Sequence, residues 1–200
     1  MFRDIPEFTQ PFEAGDTIRL SWWRQGPIPG SYEEPLGYRP KPPTRYARTY
    51  MERQTRLLDP LLDIDFRWLK PNSPKADIRL HVVRNNIRPT GLHTKPGSSV
   101  AGILQPGTTS HDVILGAYPS PSRLNRFIAI HELGHALGLS HPGTGGFDPN
   151  YTTDDTVMSY NRTDAWPVQY RPADIRRLQE LWNTPRQDII TGLVLSTLAH

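Results

Sequence analysis

Residues 131–141 read His131-Glu132-Leu133-Gly134-His135-Ala136-Leu137-Gly138-Leu139-Ser140-His141, and Val157-Met158-Ser159-Tyr160 follows a short way downstream. Histidines four apart on a helix fall within about 40° of one azimuth at roughly 3.6 residues per turn, so their imidazoles can converge on one metal ion. Glu132 follows the first histidine and leans toward the same cavity without having to be a ligand. Gly138 can take the positive φ that ends a helix and turns the chain, which would bring His141 round as a third nitrogen donor. Three neutral imidazoles leave at least one position open to water, the arrangement of a catalytic zinc rather than a closed structural one. A bare H-E-x-x-H also occurs by chance, its histidines then being ordinary surface or core residues. The longer pattern, with a glycine where the helix must break, is far more specific.

The flanking sequence gives this stretch a setting. Ser122 is a candidate N-cap, and Leu124, Phe127, Ile128, Ile130, Leu133 and Leu137 make a wide apolar surface, which predicts a mostly buried helix over 122–139. Burial suits metal ligands because packing locks their rotamers. Residues 142–156 are rich in Gly, Asp, Asn and Thr and read as loop. Asp148, Asn150, Asp154 and Asp155 could hold a calcium ion, but their spacing matches no familiar calcium loop, and solvated turn residues explain them as well. Pro172 to Trp182 has proline at its start, Asp174 in the first turn and Ile175, Leu178, Leu181 and Trp182 on one face, which predicts a second amphipathic helix downstream.

Upstream, residues 16–23 (Asp-Thr-Ile-Arg-Leu-Ser-Trp-Trp) alternate in polarity and predict a strand. Residues 25–43 are dense in Pro and Gly and read as an irregular surface loop. From Thr44 to Leu58 the spacing of Tyr46, Tyr50, Leu57 and Leu58 predicts a long helix. Strands are expected over 64–69 and 77–84, with a turn at Lys70-Pro71-Asn72-Ser73-Pro74, and again over 98–105 and 111–117. A strand-helix-strand-strand order suggests a mixed sheet with a crossover helix on one face. His81, His93 and His111 read as structural or solvent-facing.

Bulk properties narrow the possibilities. The chain of 200 residues suffices for one domain with a real core. Its net charge of +3 comes from scattered Arg and Lys, with no run that marks a nucleic-acid site. Cysteine is absent, which removes thiolate ligands, cysteine nucleophiles and disulfides. Met1 to Gln10 has no apolar core of a signal peptide, and no window reaches the roughly 18 apolar residues of a membrane span. The tail, 188–199, is apolar enough to pack as a strand or helix.

The pattern H-E-x-x-H-x-x-G-x-x-H, completed by Val157-Met158-Ser159-Tyr160, resembles the metzincin clan of zinc metallopeptidases. Pro142-Gly143 after the third histidine, and Tyr160 two residues after the methionine, look like the serralysin family. The resemblance implies an α+β catalytic domain spanning 1–200, with an upper part of about 1–141 and a lower part of about 142–200. Its parts would be a mixed twisted sheet with an antiparallel edge strand, two long helices and a C-terminal helix. It further implies that His131, His135 and His141 hold one zinc ion and that Met158 forms an apolar floor beneath them. Tyr160 would approach the metal as an extra ligand and swing away to donate to the substrate oxyanion. Ala101, Gly102, Ile103 and Leu104 would form a sheet edge where a peptide binds extended by main-chain pairing, as unpaired edge groups permit. Residues 161–170 would shape the pocket beyond the scissile bond. Serralysins usually continue into glycine-rich calcium-binding repeats, and none occurs in these residues.

The expected function is a zinc-dependent endopeptidase in which a zinc-bound water attacks the peptide bond with Glu132 as general base. Its partners would be protein or peptide substrates, with no nucleic acid and no membrane span, and the protein would be a monomer. Secretion is what the resemblance implies about location. A catalytically silent zinc-stabilised binding module, or a hydrolase of a non-protein amide, fits the same residues.

Overall fold

The computed structural model describes residues 15–24, 40–83, 100–104, 111–116, 122–143 and 145–182. Strand β1 (Thr17–Trp23) sits near the centre of the sheet. It pairs in parallel with β3 (Asp65–Trp68) on one side and with β4 (Ile78–Val83) on the other. Strand β4 pairs in parallel with β6 (His111–Gly116), and β5 (Val100–Leu104) closes the sheet antiparallel to β6. The order is β3-β1-β4-β6-β5. An irregularity between Val100 and Ile103 breaks the β5–β6 register at Ala101 and Gly102, the kind of insertion found at sheet edges.

Part of the proline-rich stretch departs from expectation. Read as wholly irregular over 25–43, it contains a two-residue strand, β2 (Pro40–Lys41), antiparallel to Val82 and Val83. Proline is tolerated there because a short edge segment need not donate from every backbone nitrogen. Residues 25–39, His93, the expected strand ends at 84, 98, 99, 105 and 117, and the apolar tail lie outside the described residues.

Parallel pairing of β1 with β3 requires a crossover, which helix α1 (Arg45–Leu58) supplies. Thr44 caps it by accepting from the Ala47 N–H, and Met51, Gln54, Thr55 and Leu58 form its buried stripe at helical spacing. Helix α2 (Arg123–Ala136) starts at Ser122, whose hydroxyl accepts from the Asn125 N–H, and it is shorter at its far end than the reading of 122–139. Its residues from Phe127 to Gly134 are all buried, as expected of a helix without a polar face in this span. Helix α3 (Pro172–Leu181) follows with proline in its first turn.

One sheet face follows the alternation in the sequence. Ile18, Leu20 and Trp22 of β1, Ile78 and Leu80 of β4, and Val113 and Leu115 of β6 join α1, α2, Leu178 and Trp182 in a single core. The opposite face carries Ser21, Arg79, His81 and Asp112, which are buried too. Charge pairing makes that burial tolerable. The Arg79 guanidinium reaches both Asp112 carboxylate oxygens, at 2.8 and 3.2 Å, and His81 Nε2 lies 2.8 Å from the same carboxylate. His81 is therefore a paired interior residue rather than a solvent-facing one, and His111 is buried at the start of β6.

Candidate metal centre

The last two turns of α2 carry His131, Glu132 and His135. The helix then stops because Gly138 adopts φ +96°, a conformation costly to any residue with a Cβ. The Gly138 N–H donates to the His135 carbonyl and the Leu139 N–H to the Gly134 carbonyl, both at 2.9 Å. These two bonds are the paired cap of a Schellman motif, and they reverse the chain so that His141 returns toward the helix.

The three imidazoles meet. His141 Nε2 lies 3.1 Å from His131 Nε2 and 3.1 Å from His135 Nε2. Two nitrogens each about 2.0–2.1 Å from a tetrahedral ion are separated by roughly 3.3 Å, so the observed spacing fits a zinc-sized cation with little adjustment. The other ring nitrogens are fixed by backbone: His131 Nδ1–H donates to the Val157 carbonyl and His135 Nδ1–H to the Leu139 carbonyl, both at 2.8 Å. A carbonyl can only accept, so in the neutral rings the Nε2 lone pairs are the ones turned to the centre. Burial lowers all three pKa values, to about 3 for His131 and about 4 for His135, with neighbouring imidazoles adding to the effect at those two. The histidines are thus neutral near pH 7, the form that coordinates metal. Among the described residues, this is the one cluster of three or more His, Cys, Asp or Glu side chains close enough to share an ion.

Glu132 is 6% exposed, and its negative charge reaches the Tyr160 hydroxyl. Tyr160 lies 3.1 Å from His131 Nε2 through that hydroxyl, and its ring packs 4.9 Å from the His141 ring. Burial first, then Glu132, pushes the Tyr160 phenol up to about 12, so it keeps its proton and remains a donor at neutral pH. Met158 is buried beneath the helix, its Sδ 3.1 Å from where a Cβ on Gly134 would stand. Ala101 to Leu104 lie on the terminal strand of the sheet, beside α2. The loop acids are engaged locally. Asp148 accepts from Asn150, Asp155 accepts from Thr152, and Asp154 pairs with Arg171.

Several positioning residues escaped the sequence reading. Asp174, visible only as an acid in a first helical turn, accepts from the Thr156 hydroxyl and from the Val157 and Arg171 N–H groups. It thereby fixes the segment whose carbonyl orients His131. Tyr170 donates to the Ile130 carbonyl at 2.8 Å, and Tyr50 donates to the Val168 carbonyl, tying residues 168–170 to α1 and α2. Gly146 and Phe147 abut Tyr160. The adjacent glycines were legible as a turn, but their partner fourteen residues later was not.

No family model matches the chain. Interstitial collagenase of Aquarana catesbeiana is 30% identical over 138 residues, covering 64% of this chain and 36% of that protein. Interstitial collagenase of Sus scrofa is 32% identical over 115 residues, 52% of this chain and 24% of that one. The chain therefore matches only about a third of the first relative's length and a quarter of the second's. In fold it is similar to the solved structure of myroilysin, with a TM-score of 0.52 at 14% identity, covering 90% of this chain and 98% of that one. The likeness to myroilysin is one of fold. Neither collagenase singles out the serralysin-like branch to which Pro142 and Tyr160 pointed.

Proposed function

We propose that this chain is a zinc-dependent endopeptidase of the metzincin type. The observation that carries the reading is the meeting of three histidine Nε2 atoms, with the His131 and His135 rings oriented by backbone carbonyls, beside a buried glutamate. His131, His135 and His141 would hold the zinc, which when bound supplies a water of pKa about 7 and polarises the substrate carbonyl. Glu132 takes the proton of the attacking water and passes it to the leaving amine. Tyr160, a phenol held at His131 Nε2, is placed to donate to the oxyanion as the carbonyl becomes tetrahedral. Met158 and Gly134 form the packed floor, and Asp174 holds Val157 so that His131 keeps its orientation.

The substrate would be a protein or peptide lying extended along β5, pairing with main-chain groups of Ala101 to Leu104. Pro142 and Tyr160 favour a serralysin-like variant of the site, and the likeness to interstitial collagenases favours action outside the cell. No helix among the described residues is long and apolar enough to cross a membrane. The test is one experiment with two readouts, zinc content and cleavage of an unstructured protein, for the native chain and for Glu132→Gln. The expected result is one zinc per chain in both and cleavage only in the native chain. Equal cleavage by both would refute the assignment, and zinc without cleavage in either would leave a zinc-stabilised binding module.

A further inference from the structure

Three large apolar side chains stand exposed among the described residues: Tyr46 at 41%, Leu57 at 43% and Phe147 at 67%. The first two belong to α1, where the Tyr46 ring lies parallel to that of Tyr50. Phe147 differs in being the most exposed and in standing at the metal centre. Its ring is 5.1 Å from that of Tyr160, which in turn is 5.0 Å from the His131 ring and 4.9 Å from the His141 ring. An aromatic continuous with the site and turned to solvent is available to a substrate at that site.

The backbone carrying Phe147 is pinned on both sides. Before it, Gly146 holds φ +79° and its carbonyl accepts from the Tyr160 N–H at 2.9 Å. A Cβ at 146 would come within 2.8 Å of the Tyr160 ring, so only glycine lets the chain lie this close to it. After it, the Asp148 carbonyl accepts from Asn161 Nδ2 at 2.7 Å and from the Tyr151 N–H, while the Asp148 side chain accepts from Asn150. The backbone that carries the ring is held before anything binds, which lowers the entropy cost of contact.

We infer that Phe147 touches the substrate and selects peptides with a large apolar side chain next to the scissile bond. The inference rests on the endopeptidase reading and adds a specificity to it. Side chains of an extended peptide rise about 3.3 Å per residue. One flanking a bond cut beside Tyr160 is therefore within reach of a ring whose centre lies 5.1 Å from that of Tyr160. Apolar contact of this kind discriminates modestly, since one methylene in an apolar pocket is worth roughly 10–200-fold. A one-sided platform belongs at the low end.

The experiment uses matched pairs of fluorescence-quenched peptides that carry either Phe or Ala at each residue flanking the bond, with the native chain, Phe147→Ala and Phe147→Leu. The ratio of kcat/KM for the Phe peptide over the Ala peptide is expected to be about 10 in the native chain at one flank. It should fall toward 1 in Phe147→Ala through a rise in KM, and Phe147→Leu should retain most of it. A ratio unchanged in Phe147→Ala, including an equal fall on both peptides, would overturn the proposal. The same peptides are titrated by anisotropy against zinc-loaded Glu132→Gln with and without Phe147→Ala. If the native chain cuts none of them, the endopeptidase reading fails, and this binding ratio alone decides Phe147. A preference lost on Phe147→Ala upholds the contact, and one kept refutes it.

Discussion

Two buried groups of histidine chemistry lie in this molecule, and they do different things with the same residue type. At the end of α2, His131 and His135 spend their Nδ1 protons on backbone carbonyls and turn their Nε2 atoms toward His141. On the far face of the sheet, His81 instead meets the Asp112 carboxylate, which also receives the Arg79 guanidinium. The first group gathers lone pairs and so invites a cation from outside. The second contains its own cation and anion. Burial and residue identity are shared, so what decides the chemistry is the partner at each ring nitrogen.

The contrast can be broken most sharply at Glu132. Glu132→Gln is expected to keep the zinc and lose roughly 10²–10⁴-fold of the cleavage rate or more, measured on an unstructured protein beside a metal assay. Next in size, Tyr160→Phe removes the phenol proton that faces His131 Nε2. A loss of about 10²–10³-fold in kcat with little change in metal content is expected if that proton serves the oxyanion. Asp112→Ala probes the other group. It leaves the Arg79 guanidinium, 8% exposed, without its carboxylate, and breaking such a pair costs about 3–5 kcal/mol. Urea denaturation should show that loss, while the fraction still folded should bind zinc as before.

A smaller, graded effect belongs to pH. Burial lowers the folded-state pKa of His131 to about 3 and of His135 to about 4, against 6.5 for the unperturbed group. Below pH 6.5 the unfolded chain therefore takes up protons that the folded one does not, and the stability of the metal-free protein falls as pH drops toward 4. Thermal melts of the metal-free protein from pH 7.5 to 4.5 should slope downward toward acid. A melt independent of pH would mean that these imidazoles are not held neutral by burial.

The histidine cluster was legible because it is local. All three histidines fall in eleven consecutive residues, and one glycine fixes where the helix ends, so spacing alone predicts convergence. The strands were legible through alternation, as in Ile18, Leu20 and Trp22. Alternation does not say what covers the polar side of a strand: Arg79 and His81 sit buried in β4, and only the pairing with Asp112 in β6 explains them. That partner is 33 residues from Arg79, beyond any local pattern. Asp174 acts at a similar remove, 17 residues after Val157. Strand β2 was missed because two residues in a proline-rich run carry no periodicity at all.

The most direct measurement is cleavage of an unfolded protein by the native chain before chelation, after zinc removal and after zinc is restored, with metal counted at each stage. The centre built from His131, His135, His141 and Glu132 predicts one zinc per chain, cleavage that stops when it is removed and cleavage that returns with it. Cleavage that persists in the metal-free chain, or a fully zinc-loaded chain that cuts no peptide bond, would contradict it.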